Sequence, residues 1–318
     1  MPQSDLSSLC DLSPYLAKIR KDWPFPDSFS DDEPRELLGL TRDGVPTLAA
    51  QLLFGLYPQR FFPRLCLTAV VVPGREMGVV GPGNVRFLDS RRIQGTLPEI
   101  FEGAMAFVLR NMRVETLTDE ASGARKERTE YPIRAVREAI LNALVHRDYS
   151  VHSLNMPVSL VMYEDRLEIC NPGRLHCCLR LDDLGSSLPA PRNPMIAKEM
   201  EDLDLAKNRA WGIPIMRCAM QEYGLPMPKF ESGSSFCVTL RNTRIHKFSV
   251  QDKSLLHFCR TPRTRKEIAA FPGLRSVGYA MRTRVAHLVA SGLLEQGLPH
   301  TPQSPRQTYT ATEGKPKQ

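Results

Sequence analysis

Apolar residues recur at helical spacing in several stretches of the chain. The clearest stretch is 97–111, in which the apolar positions are Leu97, Ile100, Phe101, Ala104, Phe107 and Val108. This spacing places them on one face and predicts a helix. The same pattern predicts further helices over 133–147, 196–205 and 213–223. Another helix is expected between Thr47, a suitable N-cap, and Gly55, which stops it.

Strands are predicted where short apolar runs lie between turn residues. Residues 65–72 form the longest apolar run and indicate a buried strand. Residues 158–163 and 166–170 flank a polar pair, which predicts a strand–turn–strand unit. Residues 235–240 alternate and predict a further strand, whereas 115–128 are polar and typical of a hairpin or a loop. No internal repeat is present.

Charge is distributed unevenly along the 318 residues, a length that suggests two or three domains. The net charge is +7, but residues 244–318 hold 13 basic and 4 acidic residues, or +9, so residues 1–243 carry −2. Residues 1–45 hold five basic and nine acidic residues, or −4. We expect an acidic linker, an α/β region, a central domain and a basic domain over 1–45, 46–125, 126–245 and 246–318.

The basic end has the element order of a winged helix. It predicts helices over 253–259, 264–271 and 276–290, then strands over 292–295 and 307–312. Thr264 and Glu267 form a capping box at the second helix. Three arginines, which can face outward, lie on or beside the third helix: Arg275, Arg282 and Arg284. A third helix of this kind enters the major groove of double-stranded DNA. The alternative is a basic oligomerisation module with a solvated face.

The cysteines and the N-terminus bear on the compartment. The eight cysteines include no C-x-x-C pair and no zinc-ligand spacing. We expect buried or incidental thiols in a reducing cytosol, although the adjacent pair Cys177-Cys178 also allows a redox site. The first twenty residues do not form a signal peptide, and no apolar run approaches the about 20 residues that span a membrane. The protein is therefore expected to be soluble and cytoplasmic, with no membrane partner.

One polar stripe interrupts the otherwise apolar helix over 133–147. Glu138, Asn142 and His146 fall four positions apart and therefore stack on one side. An asparagine oxygen can ligate Mg²⁺, and a carboxylate one turn away can position and deprotonate a water molecule. An ordinary solvent-facing stripe is the competing interpretation, because Glu-x-x-x-Asn also occurs by chance in many helices.

Three turns downstream can bring main-chain groups close to a ligand. Asn171-Pro-Gly173 follows a strand directly, Arg192-Asn-Pro194 precedes a helix, and Gly212 stands just before another helix. Glycine lets a backbone approach a ligand, and a helix N-terminus suits phosphate. Plain turns and helix caps explain the same residues on local grounds.

Taken in order, these segments resemble one family over about residues 45–312. The segments are 47–55, Pro58-Gln-Arg-Phe-Phe-Pro63, Gly95-Thr-Leu97, Arg110-Asn111, Glu130-Tyr-Pro132, Arg137-Glu-Ala139, Asn142-Ala143, His146-Arg-Asp-Tyr-Ser150, Asp165-Arg166, Asn171-Pro-Gly173, Arg192-Asn-Pro194, Gly212-Ile-Pro214 and Gly224-Leu-Pro226. Together they are similar to the RecG-like, Schlafen/AlbA-associated transcriptional regulators. The resemblance implies an α+β fold: a GHKL-like two-layer α/β sandwich, with a mixed sheet and helices on one face, followed by a winged helix-turn-helix domain.

The resemblance also implies roles for matching positions. Glu138 would be the water-activating base, and Asn142 the Mg²⁺ ligand of an ATP site. Asn171 and Gly173 stand at the adenine-contacting Asp-x-Gly motif, with asparagine in place of the acid. Arg209 and Gly212 fall at the second glycine motif, near the phosphates, and Arg192 is a further candidate for nucleotide binding.

Besides the asparagine at Asn171, the chain departs from the family pattern at the second glycine motif. Ala210-Trp211-Gly212 stands where Gly-x-Gly is expected, so binding is better supported than turnover. These relatives often carry an AlbA-type domain before this region, and the chain is expected to start just after it.

The sequence as a whole predicts an ATP-binding, DNA-binding transcriptional regulator. Its expected cofactors are ATP and Mg²⁺, and its expected partners are ATP or ADP and double-stranded DNA, with a homo-oligomer left open. One alternative is an ATPase enzyme in DNA metabolism, although no Gly-x-x-x-x-Gly-Lys-Ser/Thr loop of a motor is present. The other alternative is a degenerate scaffold that binds neither nucleotide nor DNA.

Overall fold

The computed structural model of the chain describes residues 15, 32–118, 125–176, 179–186, 191–203, 205, 212–242, 250–271, 285, 288–289, 293–298, 301, 304 and 306–312. The chain divides into two compact units, Met1–Ile245 and His246–Gln318. Both contain helices and strands, so the fold mixes α and β structure. Within the described ranges, no helix combines the length and the hydrophobicity needed to cross a bilayer.

Residues 32–54 of the first unit form a small helix–hairpin–helix segment. Its elements are α1 (Asp32–Leu37), β1 (Thr41–Arg42), β2 (Val45–Pro46) and α2 (Leu48–Phe54). The Thr47 side chain accepts a hydrogen bond from the Ala50 N–H, which confirms it as the N-cap of α2. The helix ends at Gly55, as the sequence predicts.

A six-stranded mixed sheet forms the centre of the first unit. Its strands are β3 (Leu67–Val71), β4 (Asp89–Ile93), β7 (Val158–Met162), β8 (Arg166–Pro172), β9 (Lys229–Ser232) and β10 (Ser235–Arg241). Their order across the sheet is β4-β3-β7-β8-β10-β9, with β3 and β7 parallel and the other neighbours antiparallel. The strand–turn–strand unit predicted over 158–170 is confirmed as β7 and β8.

Four longer helices accompany the sheet: α3 (Leu97–Asn111), α4 (Ile133–Val145), α5 (Pro194–Asp202) and α6 (Gly212–Glu222). Helix α3 has the predicted bounds and packs on β3, while α4 packs on β8 and against α3 and α6. The apolar faces of these helices and the inner face of the sheet share one core, whose fully buried members include Phe107, Ile140, Leu160 and Ile169. Strands β5 (Val114–Thr118) and β6 (Arg125–Thr129) pair antiparallel. Residues 115–128, for which the sequence allowed a hairpin or a loop, therefore belong to a hairpin.

The prediction that the cysteines are free thiols is wrong for one pair. Cys170 of β8 and Cys237 of β10 lie directly opposite each other and form a disulfide, with their Cα atoms 4.1 Å apart. Their 67-residue separation hides the contact in the sequence, because it depends on the register of two distant strands. Among the described cysteines, Cys66 and Cys259 are buried free thiols and Cys218 is exposed. The adjacent pair Cys177-Cys178 lies outside the described residues.

The second unit combines short helices with a three-stranded sheet. Its described elements are α7 (Val250–Phe258), β11 (Arg263–Thr264), α8 (Arg265–Ala269), β12 (Leu294–Gln296) and β13 (Thr308–Ala311). The sheet order is β11-β13-β12, and both neighbouring pairs are antiparallel. The capping box of Thr264 and Glu267 is confirmed. The three arginines proposed to read DNA lie outside the described residues: Arg275, Arg282 and Arg284.

Candidate functional site

Helix α4 carries the polar stripe, and most of its other residues are apolar and buried. Eight of its residues are buried: Ala135, Val136, Ala139, Ile140, Leu141, Ala143, Leu144 and Val145. Glu138 and Asn142 are half-buried, and so is His146, which directly follows the helix. The stripe is therefore not a fully solvated face. Half-buried polar groups on a packed helix need partners or a ligand, because burial without a partner is costly.

Gly212, the first residue of α6, packs against this stripe. A β-carbon built on Gly212 would stand 3.0 Å from Glu138 Oε2, 3.0 Å from Asn142 Nδ2 and 3.2 Å from Asn142 Oδ1. Any side chain at Gly212 would therefore press on both polar groups. The helix N-terminus, the carboxylate and the amide meet at one point, and a helix N-terminus favours a bound anion.

Glu138 is electrostatically suited to proton transfer. Burial raises the pKa of its carboxyl above the usual value, and nearby Arg137 opposes this shift in part. The Arg137 guanidinium is held elsewhere, because it donates to the Leu205 carbonyl and lies 4.9 Å from the Phe101 ring centre. A carboxylate with a raised pKa is a better base for a bound water than an exposed one.

Asn171 lies on the helix-facing side of β8. It is buried, as are Leu167 and Ile169 at alternate positions of the same strand, so all three share the inner face. Its Nδ2 donates to the Pro172 carbonyl at 3.3 Å. Opposite it on β10 stands Phe236. A buried amide at the end of a strand, beside an aromatic ring, is suited to recognise a planar polar base.

The turn after Asn171 meets the C-terminal end of α4. Gly173 has φ +100°, and a β-carbon there would stand 2.6 Å from Asp148 Cβ and 3.5 Å from Arg192 Cζ. The Asp148 N–H donates to the Pro172 carbonyl at 2.9 Å, which fixes the two segments together. Both the backbone conformation and the lack of space require glycine at this position.

Arg192 lies at the same end of the stripe. Its Nη2 donates to the Arg174 carbonyl at 2.5 Å, and its Nη1 stands 3.8 Å from Asp148 Oδ1. Burial lowers the pKa of His146 to about 4, and electrostatic interactions with Arg192 and His176 lower it further. His146 is therefore neutral at pH 7. The Glu138 end of the stripe lies at the N-terminus of α6. The His146 end lies towards Arg192 and Gly173.

Two positioning residues could not be singled out from the sequence. Asn193 Nδ2 donates to the Val145 and Arg147 carbonyls, each at 2.8 Å, and so satisfies groups left over at the end of α4. The fully buried Arg147 donates to the carbonyls of Asp148, Ser153 and Met156 at 2.8, 2.8 and 2.6 Å. Arg147 and Asn193 stand in the His-Arg-Asp-Tyr-Ser and Arg-Asn-Pro segments that contribute to the family resemblance. That resemblance is the sequence signal for them, because no local pattern predicts their contacts.

The donor set fits a Mg²⁺–phosphate group. Asn142 Oδ1 and the Glu138 carboxylate are hard oxygen ligands, and Mg²⁺ takes one or two protein oxygens together with phosphates and waters. The space that a β-carbon on Gly212 would fill lies directly beside both groups. Arg209, Ala210 and Trp211, which precede this glycine, lie outside the described residues.

A family model matches part of this unit. Residues 155–240 match a family model described as "Putative ATP-dependent DNA helicase recG C-terminal". The match includes Asn171, Gly173, Arg192 and Gly212, and it begins after Glu138 and Asn142. It supports a RecG C-terminal-like ATPase domain in this part of the chain. No curated protein matches the chain.

A solved structure shares the fold. The DIP2311 protein from Corynebacterium diphtheriae aligns with a TM-score of 0.57 and 20% sequence identity. The alignment covers 96% of this chain and 62% of that one, so the chain spans less than two thirds of this similar protein. At this identity the likeness concerns the fold alone.

Proposed function

We propose that the first unit binds ATP or ADP as its Mg²⁺ complex, and that the chain is a DNA-binding transcriptional regulator controlled by this nucleotide. The single observation that carries the nucleotide site is the meeting of Glu138, Asn142 and Gly212. The family match over residues 155–240 supports the same class of ligand. A GHKL-like fold is consistent with the mixed sheet and its packed helices.

Each half of the site has a separate role in this proposal. Asn142 and Glu138 hold the metal and its water at the phosphates, beside the N-terminus of α6. Asn171 and Gly173 contact the adenine at the far end of β8. Arg192 and Arg209 contribute positive charge towards the phosphates. Bound Mg²⁺ would supply charge neutralisation, and the protein supplies orientation and burial.

Calorimetry with Mg-ATP and Mg-ADP on the intact chain tests the nucleotide site. Glu138→Ala and Asn142→Ala should each weaken binding at least about tenfold, the loss of one charged or ligating contact. Glu102→Ala, which removes an exposed carboxylate from α3, is the matched control and should bind like the parent. Absence of binding by the unaltered chain would reject the proposal.

A hydrolytic enzyme is the second candidate, and the raised pKa of Glu138 favours it. Steady ATP turnover by the purified chain, abolished by Glu138→Gln with binding retained, would select this alternative. Binding without turnover would select the nucleotide-controlled regulator.

The DNA proposal concerns the second unit. Its helix order, its three-stranded sheet and the +9 charge of residues 244–318 suit a winged helix on duplex DNA. Replacing Arg282 and Arg284 by alanine should weaken duplex binding and flatten its salt dependence. Replacing Lys315 and Lys317 changes the charge equally and is the matched control. Equal binding by the arginine variant and the parent in a gel-shift assay would refute this helix as the reader.

A further inference from the structure

The connection between β3 and β4 exposes an unusual amount of apolar surface. Six large apolar side chains within twelve residues are exposed: Met77, Val79, Val80, Val85, Phe87 and Leu88. Leu88 alone is 64% exposed. Contiguous exposed apolar surface of this kind marks an interaction site more often than a free surface. The last two of these residues lead directly into β4.

Strand β4 is an edge of the six-stranded sheet. Its only partner among the described strands is β3, and its three central residues are exposed: Ser90, Arg91 and Arg92. An uncovered edge strand offers a row of unpaired N–H and C=O groups to another strand.

The main-chain bonds of β3 determine which groups of β4 face outward. The Val158 N–H donates to the Cys66 carbonyl at 3.1 Å, and the Val72 N–H donates to the Met162 carbonyl at 2.9 Å. Even-numbered positions of β3 therefore bond β7. Because strand residues alternate, the odd-numbered positions bond β4.

Ser90 and Arg92 consequently face the open edge with their main-chain groups. Ala69 lies opposite Arg91, so Arg91 and its odd-numbered neighbours bond inward to β3. Ser90 and Arg92, at the even positions, point their N–H and C=O groups away from the sheet.

Charge selects one register for a two-fold pairing of β4 with a second β4. A two-fold axis through an antiparallel pair sets one residue opposite its own copy. An axis at Arg91 would bring two arginines together, and an axis at Arg92 would do the same. An axis at Ser90 avoids both conflicts.

The Ser90-centred register pairs opposite charges. It sets Asp89 opposite Arg91 of the second copy, an acid–base pair. Within one copy Asp89 already accepts from Arg110 and from Asn111 through Oδ2. Exposed Phe87 and Leu88 directly precede the paired segment. Opposite charges on facing strands stabilise antiparallel sheets.

We infer that a second copy of this chain docks on β4, pairing antiparallel about Ser90 and covering the apolar residues that precede the strand. The two six-stranded sheets then become continuous across the axis. The occupant is a second copy rather than another protein, because the strand is complementary to itself in charge. The pairing involves no residue of the nucleotide site, so dimerisation and nucleotide binding can fail independently.

Light scattering on the full-length chain across a concentration series tests the pairing. The unaltered chain should reach twice the monomer mass. Ser90→Pro removes an N–H that faces away from β3, a change that edge strands tolerate, and should raise the dimer dissociation constant at least about tenfold. Ser90→Ala retains the N–H and should dimerise like the parent.

A surface charge reversal provides a second test that does not alter the backbone. Arg91→Glu would face Asp89 of the other copy and should weaken the dimer, while circular dichroism shows an unchanged fold. A monomer at every concentration, or a dimer that Ser90→Pro and Arg91→Glu leave equally strong, would overturn the inference. Loss of the dimer in both variants, but not in Ser90→Ala, would establish it.

Discussion

Gly212 and Glu138 lie so close that a β-carbon on the glycine would stand 3.0 Å from the carboxylate oxygen Oε2. The contact joins the start of α6 to the middle of α4, on the side where Asn142 also faces the glycine. The missing side chain therefore lets the start of α6 pack directly against both polar groups. This relationship makes the glycine a test of the site that leaves the charged residues in place.

Gly212→Ala should weaken Mg-nucleotide binding at least about tenfold, because its methyl group would occupy the space beside Glu138 and Asn142. The fold should survive, since the neighbouring atoms are the ends of side chains and alanine is favoured in helices. Calorimetry with Mg-ADP and a thermal melt would measure the two effects separately.

Gly233→Ala is the matched control for that experiment. A β-carbon at Gly233 would meet no atom of the described residues within 4 Å, so this variant should bind like the parent. If Gly212→Ala bound nucleotide as tightly as Gly233→Ala, the space beside Glu138 would not belong to the ligand.

Glu138→Gln should stabilise the fold of the first unit. Burial raises the pKa of this carboxyl, so its ionised form is penalised in the folded state and the penalty grows as pH rises. Glutamine removes the penalty, so the free energy of unfolding should rise at neutral pH. Urea unfolding at pH 5 and pH 8 should show a larger gain at pH 8, and a loss of stability at both would contradict this explanation.

Helices could be predicted from the sequence more completely than contacts between them. The bounds of α3 follow from apolar spacing alone, because helix signals are local. By contrast, the four residues of β9 are mostly exposed and show no alternation, so no local pattern predicts this strand. Helix α5 begins at Pro194, before the predicted residue 196, because proline fits the first turn of a helix.

The candidate site could be predicted only in part for the same physical reason. The stripe of Glu138 and Asn142 is visible in one helix, whereas its contact with Gly212 depends on how α6 packs against α4. The bond network of Arg147 depends on the path of a loop, and the Cys170–Cys237 pairing depends on a register. Such tertiary information is absent from local patterns.

Arg147→Met should destabilise the first unit by about 3–5 kcal/mol, because it removes a buried side chain that donates to three carbonyls. Asp148, which follows directly, should lose its place beside Gly173, so nucleotide binding should fall as well. Arg134→Ala, at an exposed ion pair with Glu222, should cost less than about 1 kcal/mol and is the control. Equal stability losses in the two variants would show that the buried network contributes little.

The cross-strand disulfide should be detectable as linked peptides and should stabilise the first unit. It closes a loop of 67 residues, and cross-links of that span contribute about 2–4 kcal/mol. Mass spectrometry of the alkylated, unreduced protein should find Cys170 joined to Cys237, and Cys218 alkylated. Cys170→Ser should lower the unfolding midpoint under oxidising conditions and have little effect in reductant. Alkylation of both partners without reduction would contradict the pairing.

The buried Glu199 should make the first unit less stable as pH rises. Its side chain is fully buried on α5, its Oε2 has no hydrogen-bond partner among the described residues, and its Oε1 lies 3.3 Å from Lys198 Nζ. Burial, followed by repulsion from Asp202, raises its pKa to about 8. Because the folded pKa exceeds the unfolded one, the associated stability is complete below about pH 4.5 and is lost as pH rises towards 8.

Glu199→Gln should abolish this pH dependence. Relative to the parent, its free energy of unfolding should rise by about 2 kcal/mol or more between pH 4.5 and pH 8, since each proton contributes about 1.4 kcal/mol per pH unit. Urea titrations at several pH values would measure the difference, and Glu102→Gln on the exposed face of α3 is the control. Parallel pH profiles for the parent and Glu199→Gln would mean that Glu199 finds a compensating partner in solution.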